Sequence, residues 1–141
     1  MQIRWAQPED VKELLEMNRA FNEVEDVTEE SVLQCLETGK EKVAVVQVED
    51  ALAGFCCAQI HPSFCYSKPS VEITELYVKK EHRNKGCAKE MLRFMTAYAM
   101  EEIHASEIHL MTGLNNEMAK ALYRKMGFEE KQRMYFEKHD M

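Results

Sequence analysis

The sequence predicts an α/β (α+β) protein: a mixed, mostly antiparallel sheet with helices on both faces, in the order β-αα-βββ-α-β-α-β. Short runs rich in Val, Ala, Phe and Cys, bounded by polar turns, indicate buried strands. Longer segments with apolar residues at three- and four-residue spacing indicate amphipathic helices. The chain has 141 residues and is 45% hydrophobic. It is therefore expected to form a single domain over residues 1–141 with a substantial core.

The first part of the chain predicts one strand followed by two helices. Residues 3–5 form a short apolar strand, and residues 7–10 open a helix, because Pro is tolerated and acids are favourable in a first turn. Asp26 and Glu29, in capping-box spacing, predict the start of a second helix. Gly39 can end that helix in the left-handed conformation.

The middle of the chain predicts the centre of the sheet. Residues 43–48 and 52–60 read as a hairpin around the polar turn 49–51. An aromatic loop, residues 64–70, leads to another strand over residues 71–78. These three strands are expected to be antiparallel neighbours.

The last part of the chain predicts two further helices, each followed by a strand. One helix begins at Gly86, and the strand 107–111 comes after it. Residues 116–126 form the last helix, which Gly127 closes, and residues 134–137 are expected to form a final short strand.

The positive charge is concentrated in one segment. The net charge is −7, yet residues 79–93 hold six Lys or Arg and two Glu, so this segment carries +4 and the remainder −11. Binding to nucleic acid usually requires a basic face and a high pI, which an acidic chain does not offer. A small, highly charged anion is a better partner for such a segment.

Membrane and metal signals are weak. The sequence holds no run of about 18 uncharged apolar residues and no signal-peptide pattern, so a cytoplasmic protein without a membrane partner is expected. The five cysteines include the adjacent Cys56 and Cys57 and show no zinc-site spacing. We expect reduced, mostly structural thiols and no metal.

A phosphate-binding site is indicated where the strand 71–78 leads through a basic turn to the helix at Gly86. A helix N-terminus presents unpaired N–H groups and a partial positive charge. Gly86 lets the backbone come close to a phosphate, and Arg83, Lys85 and Lys89 add cations. The pattern predicts a site for a phosphorylated cofactor.

At these residues the chain resembles the GNAT superfamily of acetyl-CoA-dependent N-acetyltransferases. Its hydrophobic triplet at 76–78 precedes Arg83-x-x-Gly86-x-Ala88, which follows the family pattern Gln/Arg-x-x-Gly-x-Gly/Ala. Three further matches occur in the family's order, so the resemblance spans essentially the whole chain. They are Ile3-Arg4-x-Ala6-x-Pro8-x-Asp10, Asn116-x-x-Ala119-x-x-Leu122-Tyr123 and Lys125-Met126-Gly127-Phe128.

The resemblance implies which residues meet acetyl-CoA. In relatives the end of the central strand carries a bulge and parts from its neighbour. The backbone of Leu76 and Val78 would then pair with the pantetheine arm, and the Val78 N–H would polarise the thioester carbonyl. The implied cofactor-binding residues are Leu76, Tyr77, Val78, Arg83, Asn84, Lys85, Gly86, Cys87, Ala88, Lys89, Asn116 and Ala119. Cys87 is expected to contribute only its amide.

Transfer to an amine requires a base, because most amines are protonated at neutral pH. Glu75 sits where many bacterial relatives keep an acid, and Glu72 is the second candidate. Strand alternation places the two on opposite faces unless a bulge intervenes, and either can instead pair with a Lys or Arg. Tyr123 matches the family's tyrosine that protonates the departing thiolate; otherwise it is a core residue.

The acceptor is less defined. Residues 1–41 hold eleven acids and four basic residues. This charge favours a cationic acceptor, an aminoglycoside-like or polyamine-like amine. Alternatively, the acids only keep the helices soluble. The chain resembles aminoglycoside 6'-N-acetyltransferases, although those often keep their acid where Thr74 stands. A protein amine and a non-catalytic acyl-CoA sensor are the alternatives. A role for His61 or Cys65 at the acceptor site and a homodimer, common in this fold, stay open.

Overall fold

The computed structural model describes residues 1–140, which contain five strands and four α-helices. Short 3-10 turns at Pro8–Asp10 and Lys80–His82 precede the first and third helices. The elements are β1 (Gln2–Trp5), α1 (Val11–Asn22), α2 (Glu29–Thr38), β2 (Glu41–Val48), β3 (Ala51–His61), β4 (Ser70–Val78), α3 (Cys87–Glu101), β5 (Glu107–Leu110) and α4 (Glu117–Lys125). None of the helices formed by these residues is long and apolar enough to cross a membrane.

The five strands form one sheet in the order β1-β2-β3-β4-β5. The first four strands are antiparallel neighbours, whereas β4 and β5 run parallel. The predicted fold class is therefore confirmed. A short polar turn joins β2 to β3, and Glu49, whose φ is 57°, closes this hairpin.

Helices cover both faces of this sheet. On one face Leu14 and Met17 of α1 pack against Val45, Phe55 and Cys57. The other face receives α3, whose Phe94 and Tyr98 rings lie 4.9 and 4.8 Å from the Trp5 ring, centroid to centroid. The alternation of side chains along each strand separates these two groups of contacts.

The chain divides into two compact units. Residues 1–111 form the first unit and contain the entire sheet with α1, α2 and α3. The second begins at Thr112 and contains α4. The single domain over residues 1–141 stays a prediction.

Two local predictions are wrong. The α2 helix is capped by Thr28 and Ser31 instead of Asp26 and Glu29: each side-chain oxygen accepts the other residue's backbone N–H, at 3.1 Å. Residues 134–137 form no strand. Their apolar pattern suits a strand, but a strand needs a partner backbone, and residues 134–137 pair with no strand of residues 1–140.

An ion pair between the half-buried Arg4 and the buried Asp10 connects β1 to the turn before α1. Arg4 Nη1 and Nη2 donate to Asp10 Oδ2 and Oδ1 at 2.8 and 3.0 Å, and the Gln7 amide also donates to Oδ2 at 2.8 Å. Burial alone would raise the pKa of Asp10, but the bonds from Arg4 and Gln7 outweigh it and lower that pKa. This bidentate ion pair therefore explains why the N-terminal motif contains both Arg4 and Asp10.

Replacement of Asp10 by Asn should lower the free energy of unfolding by about 2–3 kcal/mol at neutral pH, because Arg4 then loses its charged partner. Because the pKa of Asp10 is lower in the folded protein, its ionised carboxylate stabilises the fold at any pH above the carboxyl's unfolded pKa. This stabilisation is lost as the pH falls through the folded pKa. The difference between the two proteins should therefore shrink in strong acid. Urea unfolding measures both effects, with the exposed neighbour Glu9→Gln as control; equal stability of Asp10→Asn and the parent would contradict the prediction.

Candidate functional site

A β-bulge interrupts the pairing of β3 and β4. Cys57 lies opposite Glu75, but the next residue of β3, Ala58, lies opposite Ile73, so Thr74 is the extra residue. The Thr74 hydroxyl donates to the Cys57 carbonyl at 3.3 Å. An extra residue bends a strand and reverses the alternation of its side chains beyond that point.

The bulge brings both candidate bases to one face of the sheet. Glu75 lies opposite Cys57 and Glu72 opposite Gln59, and these two residues of β3 share a face because they are two positions apart. Cys57 belongs to the core cluster beneath α1, so this is the α1 face. The opposite-face arrangement expected for a regular strand does not occur.

The strands β4 and β5 part after four residue pairs. Their parallel pairing runs from Ser70 opposite Glu107 to Ile73 opposite Leu110, where β5 ends. Within the part of the chain that the structure describes, β4 continues to Val78 with only β3 beside it. Backbone groups on the free side of such a segment can bind an extended ligand.

Leu76 and Val78 direct their backbone groups into this gap. The Lys79 amide donates to the Ala53 carbonyl at 2.8 Å, so the backbone of Lys79 faces β3. Since successive residues of an antiparallel strand face opposite neighbours, the groups of Val78 and Leu76 face away from β3. The Val78 carbonyl accepts a bond from Arg83 Nε at 2.9 Å, on that open side.

Gly54 lets β3 approach β4 closely at the mouth of the gap. It lies opposite Val78, and a Cβ built on it would stand 2.3 Å from the Tyr77 carbonyl oxygen. Any other residue would therefore push the strands apart. The close spacing of β3 and β4 at this end of the strand therefore depends on the glycine.

The helix N-terminus predicted at Gly86 is present. Gly86 is the N-cap of α3 with φ 87°, and Asn84 is also left-handed with φ 62°. A Cβ on Gly86 would meet no atom within 4 Å, so the backbone conformation is what requires glycine. The first amides of α3, at residues 87–89, have no acceptor within the helix and can bind an anion.

The side chains of this loop are partly engaged in holding it. Arg83, besides its bond to Val78, lies with its guanidinium carbon 6.0 Å from the centroid of the Tyr77 ring. The Lys85 ammonium donates to a carbonyl of the preceding turn at 3.2 Å. The thiol of Cys87 points into the core, where burial raises its pKa. Arg83 therefore stabilises the loop and also contributes a positive charge.

The carboxyl group of Glu75 lies in an unfavourable place for a negative charge. Burial raises its pKa, and the neighbouring carboxylate of Glu41 raises it further. Glu41 accepts a bond from the Cys35 thiol at 3.3 Å. The role of Glu41 has no local signal in the sequence, because only the pairing of β2 with β3 brings the start of β2 near the bulge.

Glu72 contacts a histidine. Its Oε1 lies 3.0 Å from His61 Nε2. Among residues 1–140 neither Glu72 nor Glu75 forms an ion pair with a Lys or Arg, so that alternative for both acids is wrong. The nearby loop exposes Phe64 fully and Tyr66 largely, and Cys65 is an exposed free thiol.

The motif residues of the second unit organise α4. The Asn116 side chain caps the helix by accepting the Ala119 amide at 3.1 Å. Tyr123 accepts the Phe128 amide on its carbonyl at 2.9 Å, and Gly127, with φ 92°, forms the turn between them. The cofactor role of Asn116 and Ala119 and the acid role of Tyr123 stay predictions.

Replacement of Glu41 by Gln should lower the pKa of Glu75, because the carboxylate that raises it is removed while burial remains. The pKa can be followed by NMR of the ¹³C-labelled side-chain carboxyl, assigned with Glu75→Gln. The control is Glu37→Gln, an exposed acid on α2. An unchanged Glu75 titration in Glu41→Gln would show that this electrostatic interaction is absent.

Comparison with known proteins supports the family resemblance. The acetyltransferase (GNAT) family model matches residues 7–128. Human N-acetyltransferase 8 is 35% identical over 66 residues, which are 47% of this chain. The match covers only 29% of that protein's length.

Several solved acetyltransferase structures share the fold over nearly their whole length. An aminoglycoside acetyltransferase from an uncultured soil metagenomic sample, in complex with trehalose, has a TM-score of 0.85 at 17% identity, covering 98% of this chain and 95% of that one. The ribosomal-protein-alanine N-acetyltransferase of Brucella melitensis has a TM-score of 0.83 at 19% identity, covering 99% and 100%. The aminoglycoside N-acetyltransferase AAC(6')-Iy in complex with CoA has a TM-score of 0.81 at 18% identity, also covering 99% and 100%.

The family match and the geometry agree. The matched range, residues 7–128, includes the bulged strand, the gap beside it and the helix N-terminus at Gly86. The chain therefore belongs to the acetyltransferase (GNAT) family of acyltransferases.

Proposed function

We propose that this protein transfers an acetyl group from acetyl-CoA directly to a primary amine of a small, cationic acceptor. The observation that carries the proposal is the gap beside β4: backbone groups of Leu76 and Val78 face it, and the loop that leads to the N-terminus of α3 follows Val78 directly. Such a gap suits an extended thioester arm with a pyrophosphate at one end.

The donor would bind mainly through the backbone. Amides from Asn84 to Ala88 would take the pyrophosphate at the positive end of α3, with Lys85 and Lys89 as nearby cations. Arg83 would hold the loop in place through its bond to the Val78 carbonyl. The AAC(6')-Iy structure of the same fold contains CoA, in keeping with this assignment.

The reaction would proceed by direct attack. Glu75 would take a proton from the acceptor ammonium, directly or through water, and the neutral nitrogen would attack the thioester carbonyl carbon. The Val78 N–H would stabilise the oxyanion. The carbon–sulfur bond then breaks, and the Tyr123 hydroxyl would give its proton to the departing thiolate. The acetylated nitrogen would lose its second proton to water, and water would return a proton to the tyrosine. A raised pKa makes Glu75 a stronger base than an ordinary carboxylate.

A cationic acceptor is favoured by the charges beside the proposed base. Glu41 and Glu72 both lie opposite Gln59, from β2 and β4, so they share the face that carries Glu75. Three carboxylates on one face would attract an amine with several positive charges. The aminoglycoside acetyltransferases of the same fold agree with this choice.

Two other functions compete. A protein or peptide amine is the first alternative, because the Brucella enzyme of the same fold is named for a ribosomal protein. An acyl-CoA sensor without turnover is the second. We place the protein in the cytoplasm, where its five free thiols would stay reduced, and a homodimer is compatible with the proposal.

Thiol released from acetyl-CoA, measured across aminoglycosides, polyamines and N-terminal peptides, tests the activity. We expect turnover with a polycationic small amine and a fall of about 100-fold in kcat for Glu75→Gln, since general-base catalysis is lost. Tyr123→Phe should also lower kcat. The KM for acetyl-CoA should stay near the parent value in both variants, and Glu37→Gln serves as the control.

Each contrary result identifies a different error. If Glu72→Gln loses activity and Glu75→Gln retains it, the base is Glu72. If only peptides are acetylated, the acceptor is a protein. If acetyl-CoA binds but no amine releases thiol, the protein is a sensor.

A further inference from the structure

We infer that His61, Glu72 and His109 form a binding site for a divalent transition-metal ion, best suited to Zn²⁺. Each residue offers one donor atom, and the three donor atoms lie within 4.8 Å of one another. The inference goes beyond acetyl transfer, since neither a metal nor any role for His109 belongs to the proposed reaction.

Three adjacent strands hold the donors. His61 is the last residue of β3, while Glu72 of β4 and His109 of β5 lie directly opposite each other. His61 lies opposite Ser70, two residues before Glu72, so all three side chains share one face of the sheet. Donors fixed on paired strands are held more precisely than donors on loops, which favours a preformed site.

The donor set suits Zn²⁺. Two imidazoles and one carboxylate are ligands that zinc accepts in sites with three protein ligands and one open position. His61 Nε2 and Glu72 Oε1 are already 3.0 Å apart, close to the roughly 3.3 Å between neighbouring ligands of a tetrahedral zinc ion. The two imidazole rings stack with centroids 6.2 Å apart and an interplanar angle of 21°. The donor distances to His109 are no longer than 4.8 Å, so the set must contract around the ion to complete the site.

His109 provides a second, independent observation. Its Nδ1 atom is buried and has no hydrogen-bond partner among residues 1–140, although Glu107 Oε2 lies 3.6 Å away. A buried nitrogen without a hydrogen bond is energetically unfavourable. A bound cation would remove this cost, either by taking Nδ1 as a ligand or by orienting the ring so that Nδ1–H donates to Glu107. The second arrangement is the carboxylate–histidine support common in zinc sites.

A metal here would join the strands just before they part. Beyond Ile73 and Leu110 the pairing of β4 with β5 ends, and the loop 62–69 leaves and returns at His61 and Ser70. The ion would therefore hold β4 and β5 together where their pairing ends, and it would fix both ends of the exposed loop 62–69. The side chains of His61 and His109 are 43% and 42% exposed, so an ion can enter from solvent.

The test is titration of the metal-free, full-length protein with Co²⁺, followed by competition with Zn²⁺. Co²⁺ reports its ligands and coordination number through visible absorption. We expect one ion per chain, and at least a tenfold loss of affinity in each of His61→Gln, Glu72→Gln and His109→Gln. Glu107→Gln should lose about tenfold, as supporting carboxylates do. Zn²⁺ should raise the Tm of the parent but not of His109→Gln.

Two matched variants serve as controls. His139 and Glu137 form an exposed pair with the same 3.0 Å contact but no third donor among residues 1–140, so His139→Gln should bind as the parent does. Cys65→Ser tests the exposed thiol, whose coordination would add thiolate charge-transfer bands. Unchanged affinity in both His61→Gln and His109→Gln, or a loss confined to Cys65→Ser, would overturn the site. Circular dichroism confirms folding, and because no acetyl-CoA is present, the result is independent of the proposed activity.

Discussion

The extra residue at Thr74 determines on which face of the sheet the acidic side chains of β4 lie. A regular β4 would turn Glu72 and Glu75 to opposite faces. The bulge places both acids on the α1 face, and the strand parts from β5 at the same point, after Ile73. The acidic face and the start of the gap therefore coincide at one irregularity of β4.

Charge is segregated around this irregularity. The carboxylates of Glu41, Glu72 and Glu75 lie on one face of the sheet, whereas the cations at Lys85 and Lys89 belong to the loop and helix that follow β4. An anionic donor and a cationic acceptor would thus be drawn to different sides of the same strand. Burial and, to a smaller extent, the carboxylate of Glu41 raise the pKa of Glu75, and a raised pKa suits the base that we propose for proton removal from an ammonium group.

Local patterns in the sequence predict local structure well. The helix N-terminus at Gly86 follows from a left-handed glycine before an amphipathic stripe, and the hairpin of β2 and β3 from its polar turn. The bulge is expected only from the family resemblance. The influence of Glu41 on Glu75 and the meeting of His61 with His109 arise from strand register, which has no local signal. The strand expected at 134–137 fails for the converse reason: its pattern is local, but pairing requires a partner.

The two assignments of Glu72, as base and as metal ligand, exclude each other chemically. Its Oε1 is the atom nearest His61, and an oxygen that coordinates a cation is a poor proton acceptor, because the metal stabilises the deprotonated form. Glu75 is on the other side of the bulge, where burial and Glu41 keep its proton affinity high. If a metal binds at His61 and His109, Glu72 would therefore be its ligand and Glu75 would be the base. Glu75 would also be the base without the metal.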